Sequence, residues 1–278
     1  MRTRASTAKR QAKARRYNAP MWKPLLQPIG AALARFLMEE VPTATPLAPN
    51  DFVALGRTLQ PGDVLLVEGN TRISGAIKYL TQSTWSHAAI YLGPMAGRAE
   101  PDGEAHVLIE AELVDGVRSA PLSKYRNANS RICRPLGLKT ADTAALVDSA
   151  MQRLGEQYDL HNLFDLFRYM LPTPPIPAIW RRRSLAIGAA DPTRAICSTL
   201  IAQVFKDIAY PILPIVERQE DLESSQRLHA HVVREIFHVR NTGLYVPRDF
   251  DLSAYFAVVK PTLENGFDFH TLTWTKEA

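Results

Sequence analysis

Thiol chemistry in this chain depends on two cysteines, and one of them stands in a setting that favours a nucleophile. Cys197 follows the turn-forming residues Asp191-Pro192-Thr193 and opens an apolar run with helical spacing, which predicts that it lies in the first turn of a helix. The free N–H groups and positive dipole end of a helix stabilise a thiolate over a thiol. Cys197 is therefore a candidate nucleophile, and the alternative is a buried, unreactive side chain.

A thiol nucleophile needs a base, and His87 is the best placed of the seven histidines. It stands near the start of SHAAIYL, where alternation predicts a strand that would hold the imidazole rigidly. The other histidines lack such a frame, and His229, His231 and His238 do not have the spacing of a metal site. We therefore expect neither a metal nor an organic cofactor. A purely structural strand histidine is the alternative for His87.

A third residue should fix the imidazole tautomer, and Glu110 is the candidate because it interrupts an otherwise apolar run, HVLIEAE. The alternative for Glu110 is an outward-facing strand residue. Glu112, two residues on, points the same way in a regular strand and is the rival for the role. Such a Cys-His-Glu set is suited to acyl transfer, in which the thiolate attacks a carbonyl and the imidazole moves the proton.

Short helices and strands must position these three side chains. The pattern indicates an α+β fold, with a small, largely antiparallel sheet packed on helices. Cys133 falls inside one predicted strand and is expected to be structural, although a single Cys133–Cys197 bridge stays open. Runs rich in β-branched or aromatic residues predict strands over 63–68, 86–92, 106–112, 130–134 and 255–260, and helical spacing predicts helices over 73–80, 140–154, 159–170 and 195–208.

The composition of the 278 residues, of which 46% are hydrophobic, excludes disorder throughout, and no apolar run is long enough for a spanning helix. Nine basic residues precede the first acid, Glu39, so the net charge of +5 belongs to the N-terminus. This pattern predicts a basic disordered arm over 1–21 and a short amphipathic helix with a linker over 22–45. We expect residues 1–40 to bind an anionic membrane surface rather than nucleic acid, and the protein to be cytoplasmic or peripherally membrane-bound.

A series of motifs resembles the YiiX/YebB-like branch of the NlpC/P60 superfamily of cysteine hydrolases. In chain order the motifs are LQPGDVLLVE, SHAAIYLG, VLIEAELVDGV, LGEQYD and ICSTLIAQVF. The resemblance implies a circularly permuted papain-like fold, related to the lecithin:retinol acyltransferase group, in which the histidine strand precedes the cysteine helix. It further implies that Cys197 is the nucleophile, His87 the general base and Glu110 the polar residue on the next strand, with Gly62-Asp63 at the start of the first strand.

The activity that this resemblance implies is a cysteine-dependent hydrolase or acyltransferase, acting on an amide or ester through an acyl-enzyme on Cys197. The substrate would carry a lipid-type acyl group or a cell-wall peptide. Tyr158 and Ser198 would contact the substrate or the oxyanion, and Trp180, in a proline-rich stretch before the cysteine helix, would line the acyl-binding cleft. A non-catalytic membrane-surface adaptor is the alternative function.

The domain organisation follows from the same motifs. The catalytic domain is expected over 50–262, with insertions around 172–194 and 210–246 that lie outside the family pattern. Residues 263–278 are expected to form a C-terminal tail.

Overall fold

The structure is a computed structural model, and it describes most of the expected catalytic domain. The residues described are 35–41, 51–112, 115–157, 196–220, 233–238, 240–271 and 273. Outside them lie the predicted arm 1–21, most of 22–45, the predicted helix 159–170, Tyr158, and the stretch 172–194 with Trp180. Of the predicted amphipathic helix, residues 35–38 are described, and they are helical.

Helices and strands alternate along the chain. The helices are α1 (Phe52–Thr58), α2 (Arg72–Thr81), α3 (Thr140–Gln152), α4 (Ile196–Asp207), α5 (Pro247–Leu252) and α6 (Pro261–Glu264), and short 3₁₀ helices cover Leu122–Tyr125, Thr242–Leu244 and Phe269–Thr271. The strands are β1 (Val64–Val67), β2 (His87–Tyr91), β3 (His106–Glu112), β4 (Gly116–Pro121), β5 (Ser130–Pro135), β6 (Ile215–Glu220), β7 (Val233–His238) and β8 (Phe256–Val259).

In the described part of the chain, one antiparallel sheet of six strands forms the centre of the fold, in the order β4-β3-β2-β1-β5-β8. Strands β6 and β7 pair with each other in a separate sheet. This arrangement confirms the predicted α+β class, with an antiparallel sheet packed on helices. None of the helices within the described ranges is both long and apolar enough to cross a membrane.

The central sheet is covered on both faces by apolar side chains. Successive strand residues point to opposite faces, so Val64 and Leu66 of β1 pack with α3 and α4, whereas Leu65 and Val67 pack with α1 and the 3₁₀ helix Leu122–Tyr125. Burial on both faces explains why β1 reads as the unbroken apolar run VLLV. The strands that carry the candidate residues are therefore held rigidly from both sides.

The Gly62-Asp63 pair fixes the start of β1. Gly62 adopts a φ of +98°, which favours glycine, and the buried Asp63 carboxylate accepts from Arg134 of β5 over 2.9 and 2.8 Å. The Arg134 guanidinium also donates to the carbonyl oxygen of Thr58, at 2.7 Å. Because a buried carboxylate must be paired, this motif connects α1, β1 and β5 at one corner of the sheet.

Some elements differ from the prediction. Strand β4 was not predicted, because its sequence GVRSAP has few β-branched residues and ends on proline. Helix α1 and the pair β6 and β7 were not predicted either. Cys133 lies in β5 opposite Val64 and is completely buried, and both cysteines are free thiols, so the Cys133–Cys197 bridge is not formed.

Candidate active site

Cys197 lies in the first turn of α4, which packs against β2 and β3. Leu200, Ile201 and Val204 bury the apolar face of the helix against the sheet, and this burial fixes the position of the first turn. Cys197 itself is 5% exposed. The positive dipole end of the helix lies next to the thiol, which is the setting that the sequence predicted.

His87 is the first residue of β2 and lies opposite Val67 of β1. Two hydrogen bonds fix Ser86, the residue before His87. The Ser86 N–H donates to the carbonyl oxygen of Val67 at 3.1 Å, and the Gly69 N–H donates to the Ser86 hydroxyl at 2.9 Å. Gly69 has no room for a larger side chain, since an added Cβ would meet Ser74 Oγ at 2.3 Å. The start of β2, and with it the imidazole, is therefore fixed.

A polar contact with α5 also holds the loop before β2. Trp85 Nε1 donates to Asp251 at 3.1 Å, and the same carboxylate accepts from Arg131 of β5 at 2.8 Å. The Arg131 guanidinium lies 5.0 Å from the centre of the Trp85 ring, at cation–π distance. This group connects the segment before His87 to a helix 166 residues further along the chain.

Glu110 contacts the imidazole directly, with 3.1 Å between His87 Nε2 and Glu110 Oε2. The contact crosses from β2 to β3 on a diagonal, because Glu110 lies opposite Ala89, two residues after His87 on the same face. Glu110 is completely buried. Its contact with Nε2 leaves Nδ1 of His87 available for the Cys197 thiol, with which the imidazole forms a hydrogen bond.

A buried carboxylate requires partners, and Glu110 finds them on β4 and the 3₁₀ helix that follows. Arg118 Nε donates to Oε1 at 3.1 Å, Lys124 Nζ donates to the same oxygen, and the Tyr125 hydroxyl donates to Oε2. Glu112 binds the same two cations, accepting from Arg118 at 3.0 Å and from Lys124. Of the two rival carboxylates, Glu110 is therefore the one that the structure places on His87.

Cys197 and His87 favour a thiolate and an imidazolium. Burial by itself would raise the pKa of the Cys197 thiol, but the charge and hydrogen bond of His87 and the Ala88 backbone N–H together lower it. Burial would likewise lower the pKa of His87, but the charges and hydrogen bonds of Cys197 and Glu110 raise it to about 10. These shifts favour the charge pair in which the proton sits on the imidazole.

Glu110 is anionic in this arrangement. Its burial would raise the pKa of the carboxyl, but the hydrogen bond and charge of His87 and the Lys124 ammonium lower that pKa far below its ordinary value. A negative charge on Glu110 stabilises the imidazolium beside it. The three side chains thus contact one another in the order Cys197, His87, Glu110.

The remaining candidate residues have different positions. Ser198 is completely buried beside Cys197, its hydroxyl has no hydrogen-bond partner among the described residues, and its expected contact with the oxyanion stays a prediction. Tyr158 and Trp180 lie outside the described residues. Within the described ranges, no group of three or more His, Cys, Asp or Glu side chains is arranged to hold a metal ion.

Sequence reasoning missed the residues that hold Glu110: Arg118, Lys124 and Tyr125. One signal was present, since Asp115-Gly116 between two alternating runs is a typical hairpin turn, and it would have placed β4 beside β3. The register then follows, with Arg118 directly opposite Glu110. An opposite-charge pair across two strands could have been proposed on that basis.

The first prediction concerns the reactivity of the two thiols. We expect iodoacetamide to alkylate Cys197 at a rate that reaches its plateau well below pH 8.5, because the thiolate is already formed. Cys133 should stay unreactive in the folded protein, since burial and the nearby Asp251 charge raise the pKa of its thiol to about 12. Trypsin separates the two cysteines into peptides Ala195–Lys206 and Ile132–Lys139, so mass spectrometry reports each rate. Equal rates, or a Cys197 titration near pH 8.5, would contradict the thiolate assignment.

Parts of the chain are similar to known proteins. Residues 58–166 match a family described as permuted papain-like amidase enzyme, YaeF/YiiX, the C92 family. The matched segment contains His87 and Glu110, and Cys197 follows beyond it. The chain is also similar to a solved crystal structure, that of metalloprotein YiiX from Escherichia coli O157:H7, with 18% identity, a TM-score of 0.41, and coverage of 72% of this chain and 96% of that chain. No curated protein matches the chain.

The family match bears on the resemblance that the sequence motifs indicated. It begins at Thr58, at the end of α1, and spans β1 to β5, so it includes the strands that carry the histidine and the glutamate. The family is one of amidase enzymes, which supports a cysteine hydrolase type of activity. Residues 58–166 are thus similar to the permuted papain-like amidase family, YaeF/YiiX.

Proposed function

We propose that the protein is a cysteine amidase or acyl hydrolase that works through a covalent acyl-enzyme on Cys197. The observation that carries this proposal is the line of side chains from the Cys197 thiol through His87 to the buried Glu110 carboxylate. The electrostatics of the site favour a thiolate at neutral pH, so the nucleophile needs no separate deprotonation step. An amide is the favoured bond type, since the matching family is described as amidases.

The first half of the reaction forms a thioester. The Cys197 thiolate attacks the substrate carbonyl carbon, a carbon–sulfur bond forms, and the carbonyl electrons move onto oxygen. Backbone N–H groups at the start of α4 are the donors proposed to stabilise that oxyanion. When the tetrahedral intermediate collapses, the carbon–nitrogen bond breaks and the His87 imidazolium gives its proton to the departing amine.

The second half releases the acyl group. His87, now neutral, takes a proton from a water molecule or another acceptor hydroxyl or amine, which attacks the thioester carbonyl. Collapse of the second intermediate breaks the carbon–sulfur bond and restores the Cys197 thiolate beside the imidazolium. Glu110 keeps its charge throughout, holds the ring by Nε2 and stabilises each imidazolium as it forms. The acyl group proposed is a lipid-type chain or a cell-wall peptide.

Trapping of the acyl-enzyme tests this proposal. We expect incubation with p-nitrophenyl esters of graded acyl chain length to add the mass of the acyl group to the tryptic peptide Ala195–Lys206. Cys197→Ala should abolish that adduct, while Cys133→Ala, the matched control, should leave it in place. An acyl adduct on another residue, or none on a protein whose Cys197 is alkylated normally, would contradict the catalytic proposal and favour the membrane-surface adaptor.

A further inference from the structure

The two carboxylate oxygens of Glu110 have different kinds of partner. Oε1 accepts from the cations Arg118 and Lys124. Oε2 accepts from His87 Nε2, at 3.1 Å, and from the Tyr125 hydroxyl. Oε1 therefore faces two cations, whereas Oε2 is shared between the imidazolium and a single neutral donor.

We infer, on the basis of the function proposed above, that Tyr125 is a positioning residue whose hydroxyl holds Oε2 of Glu110 in the orientation that accepts from His87 Nε2. The terminal torsion of a glutamate side chain has a broad range, so attraction to cations at Oε1 alone leaves the carboxylate plane loosely defined. A directional donor at Oε2 defines that plane. Tyr125 thus acts on the reaction through Glu110 and His87, without touching the substrate.

The structure holds Tyr125 firmly enough for this role. It ends the 3₁₀ helix Leu122–Tyr125, and its ring is buried in the cluster that includes Leu55 and Leu108. The ring centre lies 5.9 Å from that of His87, so the tyrosine contacts both members of the pair it orders. Burial and the negative charge of Glu110 raise the pKa of the phenol well above its ordinary value, and the hydroxyl therefore remains a donor at working pH.

The cations Arg118 and Lys124 have a different effect from the Tyr125 hydroxyl. Arg118 and Lys124 are shared between Glu110 and Glu112, and Arg118 also reaches Asp115 at 3.4 Å. Charge therefore alternates along these contacts. The Cys197 thiolate is negative, the His87 imidazolium positive and Glu110 negative, and the two cations beyond Glu110 are positive. These cations lower the free-energy cost of burying the charge on Glu110, while the Tyr125 hydroxyl orients the carboxylate.

The test uses Tyr125→Phe in the full-length protein, which removes the hydroxyl and keeps the ring. We expect kcat for p-nitrophenyl ester hydrolysis to fall about tenfold with KM nearly unchanged, since a hydrogen bond to a charged group is lost. The pH at which Cys197 alkylation reaches half its plateau should rise, because a poorly oriented carboxylate stabilises the imidazolium less well. Tyr210→Phe is the matched control: its hydroxyl donates to the Leu136 and Tyr255 carbonyl oxygens, beyond the other end of α4.

A second variant separates positioning from a structural effect. In a Glu110→Gln background, Tyr125→Phe should add less than a twofold further loss, because its target has already been changed. Equal losses in both backgrounds, or an unchanged alkylation profile, would overturn the role of Tyr125. The alkylation profile needs no substrate, so it tests Tyr125 even if the proposed hydrolysis fails. If the unmodified protein forms no acyl adduct, that result counts against the proposed hydrolase activity alone.

Discussion

Cys197→Ser is expected to lower kcat/KM for acyl transfer by a factor on the order of 10⁵–10⁶, the scale seen when a hydrolase loses its nucleophile. Serine keeps the size of the side chain, but its hydroxyl does not ionise at neutral pH, so the preformed anion is lost. The prediction can be measured by steady-state hydrolysis of p-nitrophenyl esters, with circular dichroism to confirm that α4 is still folded.

The same substitution should change His87. Because the negative charge of Cys197 raises the pKa of the imidazole and burial opposes that rise, a neutral serine should lower the pKa from its value of about 10. Titration of the His87 ring by NMR in both proteins measures the change. Residual activity above a hundredth of the unmodified level, together with an unchanged histidine titration, would show that Cys197 is not the nucleophile and that another group sets the charge on His87.

Glu110→Gln is the substitution with the next largest expected effect. Glutamine keeps the size and an acceptor oxygen but removes the charge that stabilises the imidazolium, so kcat should fall by about 10²–10⁴. The loss should be accompanied by a lower pKa of His87. Steady-state kinetics over a range of pH, with thermal unfolding as the check on folding, measures both effects.

Glu112→Gln provides the matched control for this substitution. Glu112 is two residues away on the same strand and binds the same two cations, Arg118 and Lys124, but Glu110 holds the contact with His87 Nε2. We therefore expect Glu112→Gln to lower kcat by less than about tenfold. If Glu112→Gln removed activity while Glu110→Gln left it near the unmodified level, the register of β3 against β2 would be wrong by two residues.

Much of the candidate site was visible in the sequence because each residue type stood in a local pattern. The apolar stripe after Cys197 predicted a helix start, and alternation around His87 and Glu110 predicted two strands with those residues on one face. The order of the motifs then indicated the permuted fold. Local patterns of this kind survive folding, since they reflect which face of each element is buried.

The groups around Glu110 could not be obtained in the same way. Arg118, Lys124 and Tyr125 lie in GVRSAPLSKY, where serine, proline and charged residues mask the strand periodicity, and their roles depend on the register between β3 and β4. The pairing of Trp85 with Asp251 joins residues from opposite ends of the domain, and nothing in either local sequence indicates it. Such contacts are set by tertiary packing rather than by propensity.

The order of the strands along the chain has a consequence for the protein as it is synthesised. Cys197, His87 and Glu110 have all been added before the ribosome reaches β8, which pairs with the outer side of β5 and begins at Phe256. Asp251, which anchors the loop before His87, arrives only shortly before. A nascent chain thus holds the Cys197 thiol while β5 still presents an open edge, and open edges are where unfinished sheets aggregate. Pairing with β8 therefore satisfies the outer edge of β5 only after the three side chains have been synthesised, and β8 then forms that edge of the central sheet among the described residues.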